Sequence, residues 1–270
     1  AFWKLGGTLL PLRHDQPQWE MDRLLAIAEP AVLVSDTHTA ICPVLARTDL
    51  AATSDLPDHA LDDHTSHVMY LGASSGSTGS PKLIEIPFPA VLASDHQARF
   101  MGSDDTGAVL VTSPLYHVNG FQFATPQLLE GARAVVMEKF DAALAVDLIE
   151  RHRITLCIMV PTMLQRIVRL PGLTAERFAS IERIIIGGAK TPEWVIDRLL
   201  ELVRPEALVF VYGSTERLGV VTMTGADWAD HRGAAGLPQD VELSIRDADG
   251  NPVPPGEVGE IHMRPLDPGR

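Results

Sequence analysis

Short apolar runs alternating with amphipathic stretches leave this chain few folds to choose from. Gly107-Ala108-Val109-Leu110-Val111, Ile154-Thr155-Leu156-Cys157-Ile158-Met159-Val160, Ile184-Ile185-Ile186 and Ala207-Leu208-Val209-Phe210-Val211 are almost unbroken apolar segments. Such runs suit strands buried on both faces, as in parallel sheets. Between them, Asp141 precedes a helical spacing of Leu144, Leu148 and Ile149, and Pro161 opens another with Met163, Leu164, Ile167 and Val168. Thr191-Pro192-Glu193 reads as a further helix start, with Thr191 as the capping hydroxyl and an acid near the positive helix end. This alternation predicts an α/β fold: mixed, mostly parallel sheets covered by helices.

The flanking regions fill in the order of elements. A strand over 8–12, a helix after Pro17 carrying Trp19, Leu24, Leu25 and Ala28, and strands over 31–34 and 41–44 suggest a βαβ unit. Further helices are expected over 89–101 and 121–130, and a strand over 132–137. The polar stretch 49–66, with Asp55, Asp58, Asp62 and Asp63, reads as a surface loop. From Val241 the texture changes: Val241, Leu243 and Ile245 alternate with polar residues, Asp249-Gly250-Asn251 signals a hairpin turn, and 258–263 alternates again. The expected organisation is an α/β core over 1–236 and a small antiparallel β subdomain over 237–270.

Composition narrows the partners. With 270 residues, 46% hydrophobic and 21% charged, the chain is an ordinary soluble globular sequence with room for a large core. A net charge of −13 argues against general affinity for nucleic acid or anionic membrane surfaces, while leaving room for a local basic pocket. No apolar run suits a bilayer span, and no secretory leader is evident. Cys157 sits inside an apolar run and Cys42 stands alone, so structural thiols in a reducing, cytoplasmic setting are expected. The chain begins without methionine, and its first residues read as the end of a helix, so a fragment is expected.

One loop concentrates the chemistry. Ser74-Ser75-Gly76-Ser77-Thr78-Gly79-Ser80-Pro81-Lys82 lies between two strand patterns, His67 to Leu71 and Leu83 to Ile86. Glycines let backbone N–H groups converge on an anion, hydroxyls add donors and a lysine adds charge, which suits polyphosphate. The nucleotide P-loop needs a Gly-Lys pair followed by a helix, and neither is present here. Three further stretches end apolar runs: Pro114-Leu115-Tyr116-His117-Val118-Asn119-Gly120, Gly187-Gly188-Ala189-Lys190, and Tyr212-Gly213-Ser214-Thr215-Glu216. Ligands of open α/β sheets bind at such carboxyl ends. A tyrosine can stack on a purine, and a carboxylate can hold Mg²⁺.

The loop resembles the phosphate loop of the adenylate-forming enzymes, roughly S-G-T-T-G-x-P-K-G, a superfamily that includes acyl-CoA synthetases, peptide-synthetase adenylation domains and firefly luciferase. Ser77 stands for the first threonine and Leu83 for the last glycine. The other three stretches are similar to the family's P-x-F-H-x-x-G, G-G-A and Y-G-x-T-E motifs. Pro161-Thr162-Met163-Leu164, Asp230-His231-Arg232-Gly233 and Gly256-Glu257-Val258-Gly259-Glu260-Ile261 extend the likeness along nearly the whole chain.

The resemblance implies a ligase that uses ATP, Mg²⁺ and coenzyme A (or a carrier-protein thiol) on a carboxylic acid. Phosphates would be held by Ser75, Gly76, Ser77, Thr78, Gly79, Lys82 and Thr215, and the adenine by Gly187, Gly188, Ala189, Tyr212, Gly213 and Ser214. The acyl group would meet Tyr116, His117, Val118 and Gly120. Thr78, Lys82, His117 and Glu216 would be the catalytic residues, with Glu216 and more weakly Thr78 on Mg²⁺.

The acid implied is bulky and hydrophobic: fatty, alicyclic, steroid-like or terpenoid. An oligomer, often a dimer, fits the family. The family's ribose-binding aspartate, hinge and mobile C-terminal lid domain are not found in the sequence. An amino-acid adenylation domain is the second reading, although only Phe121, Gln122 and Phe123 follow His117 where an acid would meet the substrate amine. A thioester-only or non-catalytic nucleotide-binding homologue is the third. Leu83 favours it, while the retained hydroxyls and Glu216 oppose it.

Overall fold

The computed structural model describes residue 3 and residues 5–51, 65–74, 82–86, 107–129, 131–215 and 219–266. It divides into two compact units, Ala1–Leu92 with Leu115–Val118, and Ala93–Pro114 with Asn119–Arg270.

The second unit is built on a seven-stranded sheet. Its strands are β5 (Ala108–Val111), β6 (Arg133–Val136), β7 (Leu156–Met159), β8 (Arg183–Ile186), β9 (Leu208–Gly213), β10 (Val220–Thr224) and β11 (Leu237–Gln239), in the spatial order β11-β10-β9-β8-β7-β5-β6. β5 to β9 are parallel, and β10 and β11 add an antiparallel edge. The apolar runs form these strands because both faces are covered. On one face Leu110, Cys157, Met159, Ile184 and Ile186 pack with α4 (Ala142–His152), α5 (Pro161–Val168) and α6 (Glu193–Leu200) through Ala145, Ile149, Leu164, Ile167, Val195 and Leu199. On the other, Val109, Val111, Leu156, Ile158 and Ile185 pack with Ala124 and the half-buried Phe123 of α3 (Val118–Leu129). Each such Val, Leu or Ile side chain contributes about 1.5–3 kcal/mol by leaving water. The mixed, mostly parallel α/β architecture is the one expected.

Local signals act as read in most elements. The Asp141 side chain accepts a hydrogen bond from the Leu144 N–H at 2.9 Å and caps α4. Pro161 is the first residue of α5. Thr191 is a correction: α6 is N-capped by Pro192 with no side-chain bond, and Thr191 is buried. Pro192 is still extended (ψ 139°), so the helix starts one residue later and the hydroxyl is out of register with the free N–H groups. β11 carries the large sheet past residue 236, and β12 (Val241–Arg246) and β13 (Glu260–Pro265) then form the antiparallel pair.

The first unit holds α1 (Gln18–Ala28), β1 (Leu33–Val34), β2 (Val44–Leu45), α2 (Arg47–Ala51), β3 (Tyr70–Ser74) and β4 (Lys82–Ile86). α1 buries Met21, Leu24 and Leu25, while Trp19 is 60% exposed, off the face predicted for it. The expected βαβ unit does not form. Over 8–12 only Leu9 bridges a strand, pairing with Tyr70, and Pro11 has no N–H to extend the ladder. α1 and the strands expected over 31–34 and 41–44 do form, and β1 and β2 pair with each other in parallel across a loop. In that loop Ser35 Oγ accepts from the N–H groups of Thr37 (3.2 Å) and His38 (3.0 Å), and the His38 ring lies 2.7 Å from the Gln16 carbonyl. The helix expected over 89–101 and the aspartates 55, 58, 62 and 63 lie outside the described residues. Among the described residues, no helix is long and apolar enough to cross a membrane.

Candidate functional site

Five parallel strands aim their carboxyl ends at one edge of the sheet, and three of the four motif stretches follow such ends. β5 leads into Thr112-Ser113-Pro114, β8 into Gly187-Gly188-Ala189, and β9 carries Tyr212 and Gly213 with Ser214 and Thr215 behind them. The fourth is set by β3 and β4, which pair antiparallel with Ser74 opposite Lys82. Lys82 is exposed at the start of β4. Ser75, Gly76, Ser77, Thr78, Gly79 and Glu216 lie outside the described residues.

The β8 and β9 ends lie side by side. A Cβ built at Gly187 would stand 3.1 Å from the Val211 carbonyl oxygen, so a side chain there would press on β9. Gly188 adopts φ 87°, a region that favours glycine. Tyr212 and Gly213 are strand residues rather than loop residues, because they pair with Val221 and Val220 of β10. Tyr212 is 44% exposed. Ala189 and Ser214 are exposed and Thr215 is half-buried. Together they offer an aromatic plane, hydroxyls and closely approaching backbone on neighbouring strand ends, which suits a flat heterocycle carrying an anionic group.

At the end of β5, the buried Thr112 hydroxyl donates to the Ile158 carbonyl at 2.7 Å and ties β5 to β7. Gly120 is buried in the first turn of α3, where a Cβ would lie 2.3 Å from the Pro114 carbonyl oxygen and 2.7 Å from that of Ser113. A small cavity of about 10 Å³ lies there, lined by Thr112, Ser113, Asn119, Gly120 and Phe123 among others.

In the first unit, the Tyr116 and His117 rings stand 4.5 Å apart at 52°. The protein around the exposed His117 ring lowers its pKa, and the positive charge of Arg13 lowers it further. Arg13 is held by Asp15 at 3.0 Å, which raises its own pKa. Neither Arg13 nor the Thr112-Ser113 pair stood out in the sequence. The signal for the second was two hydroxyl residues closing a wholly apolar strand. For Arg13 there was none, since its approach to His117 is tertiary. Among the described residues, no group of three or more His, Cys, Asp or Glu side chains could hold a metal.

The sequence profile of the AMP-binding enzyme family matches residues 1–265. A feruloyl-CoA synthase from Amycolatopsis is 32% identical over 288 residues, covering 97% of this chain and 55% of that protein. An indoleacetate–CoA ligase from Aromatoleum aromaticum is 36% identical over 200 residues, covering 71% of this chain and 38% of that one. The chain thus spans about half the length, or less, of these curated relatives. The O-succinylbenzoate coenzyme A synthetase of Bacillus subtilis, solved in complex with AMP, is similar with a TM-score of 0.74 at 23% identity, covering 94% of this chain and 67% of that one.

Proposed function

The chain belongs to the AMP-binding enzyme family, and on that premise we propose that it serves an AMP-forming ligase joining a carboxylic acid to coenzyme A with ATP. The observation that carries this reading is the likeness to a feruloyl-CoA synthase along 97% of the chain. The stretches that end β8 and β9 support it, because they carry residue types suited to adenine and phosphate at the edge where sheets of this kind bind ligands. The acid is aromatic or arylalkyl, the class named by both relatives, rather than fatty or terpenoid. A cytoplasmic setting fits ATP, coenzyme A and free thiols at Cys42 and Cys157.

Tyr212 stacks on the adenine, with Gly187, Gly188, Ala189, Gly213 and Ser214 shaping the floor beneath it. Ser75, Gly76, Ser77, Thr78, Gly79 and Lys82 hold the outer phosphates, and Thr215 meets the α-phosphate. Tyr116, His117 and Val118 orient the acid, while Gly120 lets α3 approach the end of β5. The substrate carboxylate oxygen bonds to the α-phosphorus as the bond to pyrophosphate breaks, giving acyl-AMP. The thiol sulfur then bonds to the acyl carbon, AMP leaves, and the thiol proton passes to solvent. Glu216 and Thr78 supply a carboxylate and a hydroxyl, the oxygen donor set that Mg²⁺ takes. When bound, the ion neutralises charge on the phosphates. The protein's own part is positioning and fixed electrostatics.

Pyrophosphate exchange into ATP, measured on the chain in its natural polypeptide with aromatic, fatty and amino acids, tests the reading. Acid-dependent exchange, fastest with aromatic acids, is expected. Exchange fastest with an amino acid would move the protein to the peptide-synthetase branch, and no exchange with any acid would remove adenylation altogether. Glu216→Ala is expected to lower exchange by about 10²-fold or more while the fold is kept, since one preorganised charged group is worth about that much.

A further inference from the structure

A second polar cavity opens at the other end of the sheet. It has a volume of about 410 Å³ and is lined by Arg133, Arg153, Thr155, Ser180, Glu182 and Arg204 among others. Arg133 is the first residue of β6, Thr155 and Glu182 directly precede β7 and β8, and Arg204 lies ahead of β9. These are the amino ends of the strands. A four-residue parallel strand rises roughly 13 Å, so the cavity is set apart from the carboxyl-end motifs by the length of the strands.

Three arginines and one glutamate, all exposed, line it in a chain whose net charge is −13. Positive charge is thus concentrated where the molecule as a whole repels anions. Arg133 donates to the His152 carbonyl at 3.1 Å, so the C-terminus of α4 accounts for one of the three. Arg153 and Arg204 have no ion-pair partner among the described residues, although other arginines, such as Arg177 and Arg232, do. The hydroxyls are already committed: Ser180 donates to the Ile154 carbonyl at 2.8 Å and Thr155 to that of Ala108 at 3.2 Å. The free donors of the cavity are therefore guanidinium N–H groups, which pair in forked geometry with phosphate and carboxylate. The volume falls within the roughly 300–1,000 Å³ of small-molecule sites.

We propose that this cavity is a binding site for a compact polyanion, separate from the nucleotide and acid site. Tripolyphosphate and citrate serve as probes of the two anion chemistries. They are titrated calorimetrically into the full chain carrying Lys82→Ala, which weakens the competing phosphate loop. One of the two is expected to bind, and the tighter one tells phosphate from carboxylate. Adding Arg153→Asn and Arg204→Ala is expected to weaken that binding at least tenfold. Asn is chosen because Arg153 sits at φ 50°, which asparagine tolerates. A charge-matched pair elsewhere, Arg23→Ala with Lys139→Ala, is expected to change it less than twofold. If the double variant unfolds early, Arg204→Ala alone is expected to cost at least threefold. No binding of either anion, or equal weakening by the Arg153/Arg204 pair and the Arg23/Lys139 pair, would overturn the site.

Discussion

Gly120 has no room for a methyl group. The position a Cβ would take lies 2.3 Å from the Pro114 carbonyl oxygen and 2.7 Å from that of Ser113, both backbone atoms rather than the end of a flexible side chain. The glycine of the P-x-x-H-x-x-G stretch is therefore explained by close approach of α3 to the end of β5, whatever the ligand does. Gly120→Ala is expected to cost about 1–3 kcal/mol, the range for overpacking a filled site, read from the urea midpoint. Gly172→Ala makes a useful contrast: nothing lies within 4 Å of that Cβ, but φ is 71°, so only left-handed strain of about 1 kcal/mol applies. His117 carries a second residue-scale prediction. Its pKa lies below 6.5, first through the protein around it and second through Arg13. In Arg13→Gln, an NMR titration of His117 is expected to move upward and still fall short of 6.5, because the larger cause remains. The sign for stability follows. The unfolded chain binds the proton more readily, so this residue's destabilising contribution appears as pH falls through 6.5 and is absent above it.

Elements were legible where one physical cause dominated. β5, β7 and β8 are buried on both faces, and that burial is what wrote their unbroken apolar runs. The cap of α4 was legible because an aspartate before a helical pattern has one obvious use. Asp141→Ala is expected to lower the melting free energy by about 1 kcal/mol through the lost bond to the Leu144 N–H, without a change in the pH dependence of exchange. The misreadings came where two local signals competed. At Thr191-Pro192 the proline took the cap position that the threonine side chain was expected to fill. β1 and β2 form near the places expected for them, as two residues each; what failed was the βαβ unit, because in 8–12 Leu9 bridges Tyr70 and the pairing is not extended. The site shows the same division. Motif residues could be read as strings at the ends of strands. Arg13 near His117 and the arginine-lined cavity at the strands' amino ends could not, because they collect residues from distant parts of the chain.

At the scale of the whole molecule, the two cysteines give a reporter of how the parallel sheet opens. Cys157 lies in β7, between β5 and β8, with no exposed surface. Burial pushes its thiol far above the ordinary range, so almost no thiolate exists there near neutral pH. Cys42 is half-buried in the loop before β2. A disulfide reagent at pH 8 is thus expected to label one thiol per native chain quickly and both in denaturant. Because the Cys157 side chain packs on the face covered by α4, α5 and α6, the second thiol is expected to react only through cooperative opening of that helical layer and its sheet. Its rate should rise with urea in step with the loss of far-ultraviolet circular dichroism. A destabilising change in the second unit, such as Asp141→Ala, should speed it by the fold-change its free energy implies, about fivefold for 1 kcal/mol. Arg13→Gln, whose contacts lie in the first unit, should leave it alone if the two units open independently. Labelling of Cys157 as fast as Cys42 in native buffer would mean that β7 is not the closed centre of the sheet.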